Sequence, residues 1–451
     1  MKIRTILIPV LLAGAAYGGW RMLNNEHADL SVDAVTGANP TIAEPKKRLL
    51  PTVKVADVVG WKAGETPVAA QGLRVNAFAT GLEHPRWLLP LSNGDVLVAE
   101  SNSPPRDGGG VRGWAMRYIM GRAGAGVPSP NRITLLRDAD GDGVAEQRSV
   151  LLSGLNSPFG MALVGDHLYV GNADALVRFP FKPGQTKIDA PAEKIVDLPA
   201  NPPGHWARNV VANADGSKLY VAVGSATNIA DNGMDVEKDR AAIWEVDPKT
   251  KAHRIYAYGL RNPTGMAWEP TTGALWTVVN ERDMLGSDLA PDYLTHVELG
   301  GFYGWPYYYW HGYIDNRVEQ PDEDQRQYLV RPDYALGPHT ASLGLSFAKD
   351  VKLGSRFASG AFIGQHGSWN RRPFSGYKVI FVPFANGKPA GKPIDVLTGF
   401  LDDKDRARGR PVGVIADRTG ALLVADDAGN AVWRVSATDA AASGPAPEPA
   451  N

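Results

Sequence analysis

The sequence has no cysteine among its 451 residues. That absence excludes disulfides, thiol nucleophiles, zinc held by thiolates and anchoring through a lipid-modified cysteine. Net charge is also missing: 47 Lys and Arg against 48 Asp and Glu leave −1. Nothing in this balance asks for nucleic acid or an acidic membrane surface as a partner. Several nucleotide and hydrolase motifs are absent. There is no G-x-G-x-x-G set directly behind a strand, no P-loop, no G-x-S-x-G and no H-E-x-x-H, which counts against nicotinamide, nucleotide and common hydrolase chemistry. The N-terminal apolar run, Ile6 to Ala16, falls short of the roughly 20 residues of a spanning helix. Preceded by Lys2 and Arg4 and carrying the small residues Ala13-Gly14-Ala15, it reads as an export signal over residues 1–23. Tyr17 to Trp20 extend it, so an uncleaved anchor is the alternative, and membrane attachment is expected through the N-terminus only. The expected location is the periplasm.

What is abundant is turn-forming residue: 50 Gly and 34 Pro, with 44% apolar residues, the composition of an all-β chain of short strands. One unit recurs: a turn with Pro or Asn, an apolar strand, a Gly turn and a second apolar strand. It begins at His84-Pro85-Arg86-Trp87, Ser157-Pro158-Phe159-Gly160, His205-Trp206-Ala207-Arg208, Arg261-Asn262-Pro263-Thr264, more loosely at Ser342-Leu343-Gly344, and at Arg410-Pro411-Val412-Gly413. Most copies carry a third strand, such as Arg132 to Leu136 or Ala431 to Val435. Six such units predict a six-bladed β-propeller over residues 71–436, with two β-sandwiches as the competing arrangement. Residues 24–70 read as a linker or edge segment and 437–451 as a disordered tail.

Propeller chemistry gathers where the turns entering the innermost strands meet around the channel. His205 enters the third unit, where a neutral imidazole can take a proton from a substrate hydroxyl. A structural histidine bonded to a loop carbonyl would look the same. Arg261 and Asn262 enter the fourth unit; the guanidinium fork suits a carboxylate or a quinone oxygen, or ties two blades together. Arg408 and Arg410 enter the sixth, as a polyanion clamp or a solvated basic turn. His366, Trp369 and Arg371 end the second strand of the fifth; the indole can stack on a planar ligand or belong to the core. Together these turns predict an anionic, planar ligand beside an acid–base group. Asp138, Asp140 and Asp142 form a D-x-D-x-D-G run that suits Ca²⁺. Ser149 stands where an EF-hand has Glu, so the run is an incomplete calcium loop with Glu146 in reserve, or a plain acidic turn. Arg106 to Arg122 form a long insert, read as a functional lid or a disordered stretch; a helix over residues 114–122 would sit near the mouth.

Four phrases carry a family resemblance: Tyr258-Gly259-Leu260-Arg261-Asn262-Pro263-Thr264-Gly265, Gly300-Gly301-Phe302-Tyr303-Gly304-Trp305-Pro306, Gln365-His366-Gly367-Ser368-Trp369-Asn370-Arg371 and Gly409-Arg410-Pro411-Val412-Gly413-Val414. With them the chain, from about Leu73 to Val435, resembles the quinoprotein glucose and sorbosone dehydrogenases, most closely the sorbosone branch. The resemblance implies an oxidoreductase that uses pyrroloquinoline quinone (PQQ) and Ca²⁺, a small sugar or aldehyde substrate and an external electron acceptor. It implies His205 as general base, Arg261 polarising the quinone, Asn262 on the cofactor, and Arg408 and Arg410 on its carboxylates. The calcium region would be Asn280 to Asp288, with Glu281 and Asp283 as ligands. The sequence departs from the glucose enzymes in four places. It has an insert in that calcium region, Gly224-Ser225-Ala226 where an acid orients the histidine, Arg371 as the nearest cation to a cofactor-binding lysine, and no match around Asn156-Ser157 for a glutamine near the start of the second blade. A non-catalytic sugar- or surface-binding propeller and a Ca²⁺-dependent propeller lactonase are the other readings. The second needs carboxylates where these turns carry Arg, Asn and His.

Overall fold

Alternation along the strands dictates how the sheets stack. In Leu219–Val223, residues Leu219, Val221 and Val223 pack with Tyr169 and Leu176, while Tyr220 and Ala222 pack on the other side with Met266 and Leu275. A strand with both faces apolar must sit between two neighbours. Repeated round the molecule, this gives six cores, one between each pair of adjacent sheets. A computed structural model describes residues 26–46, 52–105 and 120–438, together with 14, 17–19, 110 and 118.

The sheets are the six blades expected from the repeat, all antiparallel; five are four strands deep, and blade 5 carries two further short strands. Their innermost strands are Pro85–Pro90, Met161–Val164, Val210–Ala212, Pro263–Trp268, Ser342–Phe347 and Pro411–Ala416. These crowd the axis: a methyl group at Gly344 would overlap the Val412 carbonyl, so only glycine lets blades 5 and 6 meet there. Blade 6 takes its outermost strand from the other end of the chain. Leu73–Thr80 pairs with Ala431–Ala437 in a register running from Leu73↔Ala437 to Thr80↔Ala431, and closes the ring.

The segment expected as a linker or an edge segment is packed on the propeller. Gly37 bridges to Ala335, the Ala28 N–H donates to the Arg372 carbonyl, and Val68–Ala69 adds an edge strand to blade 5. Blade 4 carries the largest described insertion, between Pro291–His296 and Tyr334–Pro338. A short hairpin, Tyr308–Tyr309 with Tyr313–Ile314, lies within it. Buried Arg282 pins it by donating to the carbonyls of Pro306 and Tyr308, both at 2.6 Å. Among the described residues no helix is long and apolar enough to cross a membrane. Most of the stretch expected as an export signal, the tail beyond Thr438 and most of the insert from Arg106 to Arg122 lie outside the described residues. Arg122 itself is paired with Asp57 at 2.6 Å.

Candidate active site

In an antiparallel blade, the turns entering first strands and those leaving second strands lie on the same face. That face brings together His205, Arg261, Asn262, His366, Arg408 and Arg410, and two halves can be distinguished on it.

Blades 3 and 4 build one half. The His205 Nδ1 lies 2.9 Å from the Ser225 carbonyl and 3.1 Å from the Ser225 hydroxyl. A carbonyl oxygen only accepts, so Nδ1 carries the proton and the basic lone pair belongs to Nε2. Ser225, in the stretch where the glucose enzymes keep an acid, therefore sets the tautomer with its backbone. Its loop is braced by Glu237, which accepts from the Ala226 and Thr227 N–H groups at 2.7 and 2.8 Å. Gly224 lets His205 and Asn262 close in: a Cβ on it would sit 2.6 Å from the His205 Cβ and collide with the Asn262 Oδ1. Arg261 donates to the Glu281 carbonyl at 2.7 Å, to Asn228 Oδ1 at 2.9 Å and to Asp283 Oδ2 at 3.1 Å. Burial pushes the Asp283 carboxyl up, but Arg261, His339 and Asn370 outweigh it and hold that carboxyl well below the usual range. Asn370 donates to its other oxygen at 2.8 Å.

Blades 5, 6 and 1 build the other half. Asp427 accepts from Arg86 at 2.6 Å and lies 2.9–3.0 Å from His366 Nε2. Burial raises its pKa, and Arg86 with His366 lowers it far more. Burial keeps His366 below its ordinary value against the pull of Asp427. The Arg410 side chain donates to the Tyr377 hydroxyl at 3.1 Å and lies over that ring at 5.2 Å. Its Nε is buried without a protein partner, as is the Asn262 Oδ1. Buried guanidinium groups are normally matched by acceptors. An unmatched donor at Arg410 and an unmatched acceptor at Asn262 on the same face fit a ligand with both carboxylates and hydrogen-bond donors. Arg408 is a third exposed, and its guanidinium lies 3.8 Å from Glu65.

Other sequence candidates fall elsewhere or are occupied. Arg371 is buried on the Ser287 and Pro373 carbonyls, both at 2.9 Å, and fixes the loop behind the half-buried Trp369. The Glu281 carboxylate accepts from Arg282 at 2.9 Å. With Asp283 held by Arg261, both proposed calcium ligands at this face already serve arginines. Asp138, Asp140, Asp142 and Glu146 do converge, with ligand oxygens within 4.8 Å of one another. Their turn joins the third and fourth strands of blade 1, on the opposite face. Sequence reasoning passed over Arg86, Asp427 and Tyr377. Arg86 and Asp427 hold the same blade positions as residues it did select, since Arg86 opens an innermost strand and Asp427 follows a second strand as His366 does. Tyr377 sits in a loop outside the repeat and gave no signal.

The TrAA12-like family profile matches residues 129–292 and 311–438. An uncharacterised protein of Borreliella burgdorferi is 29% identical over 238 residues, 51% of this chain and 60% of that protein. The pyrroloquinoline quinone-dependent sugar dehydrogenase of Hypocrea jecorina is 23% identical over 412 residues, 80% of this chain and 87% of its own length. The PQQ domain of pyranose dehydrogenase from Coprinopsis cinerea superposes with a TM-score of 0.65 at 21% identity, covering 85% of this chain and 100% of that domain, which bears out the propeller fold. With a profile spanning more than half of its residues, the chain belongs to the TrAA12-like family, among the PQQ-dependent soluble sugar dehydrogenases.

Proposed function

We propose that the protein is an exported quinoprotein that oxidises a sugar or a sugar-derived aldehyde or alcohol, of aldose or sorbosone type. The single observation that carries this reading is the His205 tautomer. With Nδ1–H committed to the Ser225 carbonyl, Nε2 can take the hydroxyl proton of a substrate beside Asn262. When bound, PQQ supplies the two-electron acceptor for the hydride leaving the substrate carbon as its C–O bond becomes C=O. Arg410 and Arg408 would hold the cofactor's carboxylates, and Arg261 and Asn262 its quinone side. Arg261 is held in position by acceptors on Asn228, Asn280, Glu281 and Asp283. The electrons then pass to an external acceptor. Glu281 and Asp283 do not fit Ca²⁺ while arginines hold them. The Asp138, Asp140, Asp142 and Glu146 set suits a structural Ca²⁺ in blade 1, next to Asn76 of the closing strand, which donates to the Gly143 carbonyl at 2.8 Å.

The test is reconstitution of the chain lacking residues 1–23 with PQQ, with and without Ca²⁺, followed by dye reduction on a panel of aldoses and sorbosone. Saturable, PQQ-dependent reduction supports the reading. Absence of PQQ binding at any concentration would defeat it and leave a sugar-binding propeller.

A further inference from the structure

The blade 4 insertion encloses a groove that the oxidation site does not use. It has a volume of about 630 Å³ and runs between the loop leaving the second strand of blade 3, at Ile229 and Met234, and the insertion at Tyr307, Arg317, Glu319 and Asp322. We propose that this groove binds the trailing sugar units of a neutral oligosaccharide whose terminal unit is oxidised beside His205. The inference rests on the sugar oxidation proposed above and adds its substrate class.

Position is the first argument. Asn228 precedes Ile229 directly, and it holds Arg261 through both its carbonyl, at 3.1 Å, and its side chain, at 2.9 Å. On the other wall, Arg317 donates to the Asp283 carbonyl at 2.9 Å, and Asp283 holds Arg261 as well. Both walls are thus fastened to residues one contact away from the reacting face. A chain emerging from that face meets the groove next.

Size and chemistry give the class. The volume lies within the range of about 300–1,000 Å³ for small-molecule sites and exceeds what one hexose fills. The walls carry three carboxylates, Asp231, Glu319 and Asp322, against one guanidinium. That guanidinium is already satisfied by Asp315, at 2.6 and 2.8 Å. An uronate or sugar phosphate would meet net negative charge and no available cation. Carboxylate oxygens are acceptors only, suited to the paired hydroxyls of a polyol. Half-buried Tyr307 lines the groove, and an aromatic ring with a hydroxyl suits both the C–H face and the hydroxyls of a pyranose.

Calorimetric titration of the cofactor-free protein checks this without relying on turnover. The probes are glucose and the di- to tetrasaccharides of the α-1,4-gluco, β-1,4-gluco, manno and xylo series, with a trigalacturonate as the charged comparator. In at least one series affinity is expected to rise about tenfold or more from one unit to three, with trigalacturonate far weaker. The rise should be lost in Tyr307→Ala and in Met234→Trp, which fills the groove from an exposed position. Equal affinity at every length, no binding in any series, or a rise that survives both substitutions overturns the proposal. Length-dependent binding without dye reduction overturns the oxidation reading and leaves the groove standing. Dye reduction with length-independent binding does the reverse.

Discussion

At the scale of single residues, a backbone carbonyl decides which nitrogen of His205 is basic, and the proposed function gives that nitrogen the substrate proton. A positioned general base contributes about 10²–10⁴-fold to rate. His205→Ala should therefore lower kcat for dye reduction by about that factor, while titration by PQQ absorbance shows cofactor binding retained. Arg410 should behave in the opposite way. Its loss removes charge-assisted hydrogen bonds of about 1.5–3 kcal/mol, so Arg410→Ala should weaken PQQ binding by roughly ten- to a hundredfold. Remote from the site, His296 lies between Asp333, at 2.6 Å, and Glu298, at 2.8 Å. Hydrogen bonding to Asp333 outweighs burial and raises it to about 9. A raised histidine stabilises the fold fully below its unfolded value near 6.5 and loses that contribution as pH rises through the folded value. Melting temperature should fall between about pH 6.5 and 9, and His296→Gln should flatten that slope; a slope unchanged in the variant would refute the assignment. His205, Arg261 and Arg410 could be selected from sequence because a repeat fixes which turn positions face the channel. Tyr377 could not, because its partnership with Arg410 depends on how a loop outside the repeat folds back.

At the scale of strands and loops, the closing strand has the most to lose. Phe78, on Leu73–Thr80, is buried against Leu88, Val96 and Leu136 of blade 1 and Leu423 and Val432 of blade 6. Phe-to-Ala changes in such cores cost about 3–5 kcal/mol. Phe78→Ala should lower the midpoint of denaturant unfolding accordingly, and amide exchange should quicken first at the seam of blades 6 and 1. Exchange that quickens evenly over all blades would argue against a weak seam. First and second strands were legible in the sequence because apolar alternation and Gly turns mark them together. The outer strands were not. Half-exposed strands such as Glu193–Asp197 carry a polar face and little hydrophobic signal. The segment before residue 70 was harder still. Its Pro- and Ala-rich composition suits a tether, yet Val35 and Ala56 are buried in it. Burial there comes from surfaces far along the chain, which no local pattern records.

At the scale of the whole molecule, six cores between six sheets make the ring a closed set of neighbours. No blade is an end, so loss of one interface exposes apolar faces on both sides. Cooperative unfolding is the expected behaviour. Calorimetric and van't Hoff enthalpies should agree, and the melting temperature should drop on chelation if Ca²⁺ occupies the Asp138 turn. The reacting face was predictable in outline for the same reason: a ring of repeats brings equivalent turns together. The groove was not, because it arises from an insertion that breaks the repeat in blade 4.

The pairing of Leu73–Thr80 with Ala431–Ala437 also sets an order in time. A ribosome releases the first of these strands long before the second. Until the second emerges, the outer strand of blade 6 has no partner, the ring stays open, and the face of blade 1 that packs on blade 6 has nothing to cover it. A chain so arranged stays an open ring until Ala431–Ala437 has been made, so completion of the ring cannot precede the release of that strand.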